Sequence, residues 1–101
     1  MENKILVNIN PLGNAYRTIT IDGKSYLKAR QTINGWDVKF KVYTSDEQEA
    51  DSILVNDELF YAVSNNYYVG VVVFADNKTM VYSLLITVVE NGMIFCVDSV
   101  L

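Results

Sequence analysis

Histidine is missing from all 101 residues, while cysteine, proline and tryptophan occur once each and glycine five times. Without imidazole the chain cannot build a Ser-His-Asp or Cys-His site, a histidine proton shuttle or a zinc centre that needs nitrogen ligands. The single cysteine, Cys96, can form neither an internal disulfide nor a thiolate cage, which suits a reducing compartment. The glycines are isolated from one another, so phosphate loops of the P-loop or dinucleotide type are excluded. Positive charge is also scarce: eight Lys+Arg against twelve Asp+Glu leave a net charge of −4. A protein that coats nucleic acid by bulk charge is thereby disfavoured, and any anion site must be local. Long hydrophobic runs are lacking too. Tyr67 to Ala75 is the most apolar stretch, far below the ~20 residues of a membrane-spanning helix, and Ile5 to Val7 is too short for a signal-peptide core. A cytoplasmic chain without membrane contact is expected.

What is present is ordinary globular composition, 50% hydrophobic and 20% charged, in the length of one domain, residues 1–101. Turn signals recur at Asn10-Pro11-Leu12-Gly13-Asn14, Asp22-Gly23, Asn34-Gly35, Asn65-Asn66, Asp76-Asn77 and Asn91-Gly92. Between them lie runs rich in Val, Ile, Thr, Tyr and Phe, the pattern of hairpin-linked strands. The spacing predicts strands near 3–9, 15–21, 24–33, 36–44, 58–64, 67–75, 79–90 and 93–100. One segment differs: Ser45 with Gln48 three residues on forms a capping box. Acidic residues follow at a helix start, and Ala50, Ile53 and Leu54 share a helical face. A short helix over about 46–55 is expected. The fold class is therefore all-β or β-rich α+β, about eight antiparallel strands in meander order with one short helix after the fourth strand.

Register adds detail. A three-residue turn with Gly23 left-handed places Ala15, Ile19, Leu27 and Ala29 on one face, with Arg17 as the misfit. Tyr16, Thr18, Thr20, Lys24, Tyr26, Lys28 and Arg30 then lie on the other face. A type I′ turn at Asn34-Gly35 pairs Ile33 with Trp36, Gln31 with Val38, Ala29 with Phe40 and Leu27 with Val42. On the polar face Arg30 then opposes Lys39, Lys28 opposes Lys41 and Tyr26 opposes Tyr43. Like charges directly opposite one another destabilise a sheet, so two such pairs side by side call for an explanation. One is a site for an anion, built from Tyr16, Lys24, Tyr26, Lys28, Arg30, Lys39, Lys41 and Tyr43. Nucleotide, nucleic acid or an acidic protein surface would fit it, with the tyrosines available for stacking. The plainer alternative is a solvated face whose lysines splay apart or meet the acidic segment that follows.

From residue 67 onward apolar side chains occupy both alternating sets, as in strands covered on both sides. So short a chain has little to cover them with, and a homodimer or higher homo-oligomer is expected. Residues 1–44 carry a net +4 and residues 45–101 a net −8, so the halves could attract one another, or the acidic half could mimic nucleic acid at a basic cleft of a target. Cys96 and Trp36 read as packing residues, and the acidic run at 46–51 lacks the spacing of a calcium loop. No catalytic, cofactor or metal constellation emerges. The expectation is a non-enzymatic protein acting stoichiometrically by inhibition or sequestration, of the kind found among accessory proteins of phages and mobile elements. A structural or assembly component is the alternative.

Overall fold

The computed structural model describes residues 15–33 and 35–98, with side chains placed for 16–33 and 35–97. The strand expected at 3–9 lies outside the described residues. The chain is all-β, and among the described residues there is no helix. The described residues form ten strands, β1 (Ala15–Arg17), β2 (Ile19–Ile21), β3 (Lys24–Lys28), β4 (Arg30–Ile33), β5 (Trp36–Tyr43), β6 (Ser52–Val55), β7 (Glu58–Ala62), β8 (Tyr68–Ala75), β9 (Lys78–Glu90) and β10 (Met93–Asp98). They form a six-stranded sheet in the order β1-β10-β9-β8-β5-β4 and a four-stranded sheet in the order β2-β3-β7-β6, every pairing antiparallel.

Two expected strands each divide at a corner and supply both sheets. The chain over 15–21 breaks at Thr18, whose N–H donates to the Gly92 carbonyl at 2.8 Å. The chain over 24–33 breaks at Ala29, whose N–H donates to Leu59 in one sheet while its carbonyl accepts from Phe40 in the other. These corners overturn part of the expected register. Asp22 and Gly23 form a two-residue turn, both with positive φ of 51° and 79°, and Ile19 pairs with Tyr26. Inside and outside are read separately on either side of Thr18. Tyr16 points into the core and Arg17 outward, so Arg17 is no misfit. Before Ala29 the register also departs from expectation, since Leu27 pairs with Tyr61 rather than Val42, Lys28 with Phe60 and Tyr26 with Ala62, whereas beyond it Ile33 pairs with Trp36, Gln31 with Val38 and Arg30 with Lys39 as expected.

The expected helix is replaced by a loop and β6. Thr44, rather than Ser45, organises the loop: its hydroxyl bonds Asp46 and the backbone of Gln48, and its N–H donates to the Gln48 carbonyl at 2.7 Å. Glu47 adopts a φ of 67°, which a helix cannot contain, and Ala50 N–H returns to Val42 at 2.9 Å. Side-chain bonds to nearby backbone compete with a helical turn, and the β-branched Ile53 and Val55 favour a strand. Asn56 and Asp57, at φ 52° and 66°, then make the tight turn into β7.

The core lies between the sheets. Val38, Phe40, Val42, Val69, Val71, Val73, Leu84, Ile86, Ile94 and Cys96 face Leu27, Tyr61 and Val63. Leu27, Leu84, Ile86 and Ile94 are fully buried, each contributing about 1.5–3 kcal/mol of transfer free energy. Tyr16 packs edge-on against Phe40, ring centroids 5.5 Å apart. On the other face of the large sheet Phe74, Val81, Val88, Phe95 and Val97 are exposed, so the described residues do not cover β8–β10 on both sides. Among the described residues no helix is long and apolar enough to cross a membrane.

Candidate anion-binding cleft

The outward face of the large sheet can be laid out from the strand pairings. On β5 the outward residues are Asp37, Lys39, Lys41 and Tyr43, set there by alternation with the buried Val38, Phe40 and Val42. Across the sheet Arg30, Lys39, Val72 and Val81 form one row, Lys41, Gly70 and Ser83 the next, and Tyr43, Tyr68 and Leu85 a third. The β6–β7 hairpin belongs to the other sheet and diverges from β5 at the Ala29 corner. Between the two lies a cleft of about 1000 Å³, lined by Arg30, Lys39, Lys41 and Tyr43 of the large sheet and by Lys28, Asp57, Glu58, Leu59 and Tyr61 on the side of the small one, with Gly70, Val72 and Val81 also lining it.

Five of the eight residues expected to form a site thus line one cleft. The other three do not: Tyr16 is buried in the core, Lys24 sits exposed beside the β2–β3 turn, and Tyr26 lies on the small sheet opposite Ala62. The Arg30–Lys39 opposition is present, but Lys28 does not oppose Lys41 and Tyr26 does not oppose Tyr43. Comparison with protein-family models, curated proteins and solved structures finds no match to the chain.

Charge in the cleft is unevenly satisfied. Lys28 pairs with Glu58 at 3.2 Å and Arg30 with Asp37 at 3.1 Å. Both pairs are partly exposed and therefore weak. Lys39 and Lys41 make no ion pair among the described residues. Tyr61 donates to Glu49 at 3.5 Å; burial raises its phenol pKa, the Glu49 carboxylate raises it further, and Lys41 opposes both. Lys41 is thus close enough to act electrostatically on the cleft wall. Of the wall formed by Asp57, Glu58, Leu59 and Tyr61, the sequence pattern predicts the strand at 58–64 but not its hairpin with β6, which replaces the end of the expected helix. Its signal was Asn56-Asp57, a turn pair between two β-rich runs. No cluster of three metal-ligating side chains exists among the described residues.

Proposed function

We propose that the protein is a non-enzymatic binding protein that holds an anionic partner stoichiometrically in this cleft, acting by sequestration or blockade. The supporting observation is that Lys39 and Lys41 stand on adjacent rows of one sheet face, unpaired among the described residues, beside two further cations that have carboxylate partners. Two unneutralised ammonium groups held on a rigid strand repel each other in the free protein. An anion relieves that repulsion and gains two charge-assisted contacts. Thermal unfolding in the presence of inorganic pyrophosphate tests this: the melting temperature of the native sequence should rise, less so at high salt. The double variant Lys39→Gln/Lys41→Gln should fold and lose the response. A response unchanged in that variant would place the anion elsewhere.

The exposed Phe74, Val81, Val88, Phe95 and Val97 favour a second reading, in which the large sheet's outward face is the contact between two copies of the chain.

A further inference from the structure

We infer that the cleft takes a mononucleotide, with its phosphate at Lys39 and Lys41 and its base laid over Gly70; this rests on the anion-binding reading above. The sheet face under the cleft carries a three-by-three lattice of outward positions, Lys39, Val72, Val81; Lys41, Gly70, Ser83; Tyr43, Tyr68, Leu85, of which Lys39, Lys41, Tyr43, Gly70, Val72 and Val81 line the cleft. Gly70 is its centre, and every neighbour carries a side chain. The fold does not require that glycine. Its φ is not positive, and an added Cβ would meet only Lys41 O at 3.8 Å and Tyr43 Cε2 at 4.0 Å, which are ordinary contacts. A glycine inside a strand weakens the strand, and one that neither geometry nor crowding demands marks a place where something else approaches the backbone. Here it leaves a depression in the floor, bordered by Tyr43 and by the Val72–Val81 pair. A flat ring fits such a depression, whereas a branched chain does not.

The walls narrow the class further. Lys39 and Lys41 supply the free positive charge on the sheet side, while Asp57 and Glu58 line the hairpin side with acceptors. The ligand therefore carries an anion at one end and a planar ring at the other, with hydrogen-bond donors along its length. Sugar hydroxyls and an exocyclic amine on a purine monophosphate match that order. A long polyanion does not, because its chain would run past the carboxylates of the hairpin, and only two of the four cations lining the cleft lack an ion pair among the described residues. The volume, about 1000 Å³, is at the upper end for a small-molecule site.

Calorimetry and amide chemical-shift mapping with AMP, ribose 5-phosphate, adenosine, a dT12 oligonucleotide and an acidic peptide test this on the full chain. AMP should bind one to one and shift the Lys41 and Gly70 amides, with the head alone and the base alone each at least tenfold weaker. Gly70→Val should weaken AMP at least tenfold while leaving the circular dichroism spectrum and melting temperature at or above native values. Gly70→Ala, a smaller change, should weaken it less. If ribose 5-phosphate binds as well as AMP, or Gly70→Val keeps full affinity, the base does not lie on Gly70 and the inference is wrong. If dT12 or the acidic peptide binds through Lys39 and Lys41 more tightly than AMP, the mononucleotide is wrong while the anionic cleft stands. If no anion, pyrophosphate included, shifts these residues, both fail.

Discussion

Cys96 and Tyr61 determine how this fold meets alkali. Burial pushes the Cys96 thiol from 9.0 up to about 12, and the Tyr61 phenol is raised above 10.0 by burial and then by Glu49. Both groups are neutral when protonated, and the folded state favours that form. Below pH 9 folded and unfolded chains hold the same protons, so this stabilisation is fully present. As pH climbs from about 9 toward 12 the unfolded chain ionises first, and stability falls across that window. Urea midpoints at pH 8, 10 and 11 should decline, and Cys96→Ala should flatten the decline even though its cavity lowers stability at every pH. An equally steep decline in the variant would mean that the thiol is not the group responsible. The core position of Cys96 was legible in the apolar run Ile94-Phe95-Cys96-Val97. That of Tyr16 was not, because alternation along 15–21 was counted through Thr18, where the chain turns and inside becomes outside.

At the scale of elements, the turns punctuated the chain as their residues imply. Expected strands 36–44, 67–75 and 79–90 appear as β5, β8 and β9 with ends shifted by a residue at most. Periodicity cannot reveal a strand that serves two sheets, since a corner needs only one irregular residue and no turn signature. Thr18 and Ala29 are such residues, and the Lys28–Lys41 and Tyr26–Tyr43 oppositions disappeared at the second of them. The helix failed for a local reason: a capping box and three apolar residues fit a helix, but the Thr44 hydroxyl and the left-handed Glu47 close a loop first. The corner at Thr18 also carries a cost. Its hydroxyl is buried with no hydrogen-bond partner among the described residues. Thr18→Val keeps the shape and removes the unsatisfied group, so it should stabilise the protein by about 1 kcal/mol. Denaturant midpoints measure this directly; a loss of stability would show that the hydroxyl has a partner in solution, such as an ordered water.

For the whole molecule, the question is what the outward face of the large sheet does. Apolar residues on both alternating sets of β8–β10 imply self-association, and among the described residues only one set is covered. Val88 opposes Phe95, and Val97 opposes the half-buried Leu85, so the exposed side chains have apolar neighbours rather than standing as isolated points. If two copies pair through this face, light scattering at micromolar concentration should give at least twice the chain mass of 11.4 kDa. Val97 is 45% exposed and does not line the cleft, which makes Val97→Glu the informative change. In a lone chain the carboxylate stays in water and stability should move by no more than about 0.5 kcal/mol. In a face-to-face dimer it is buried without a partner, and the complex should dissociate. Cleft and face are also linked, because Val72 and Val81 belong to both. A dimer closed over them competes with any ligand in the cleft, so AMP should shift native protein toward monomer and bind Val97→Glu more tightly than native chains. A native chain that is monomeric at all accessible concentrations would remove the interface, leaving the apolar side chains beside Lys39 and Lys41 as lining for the ligand alone.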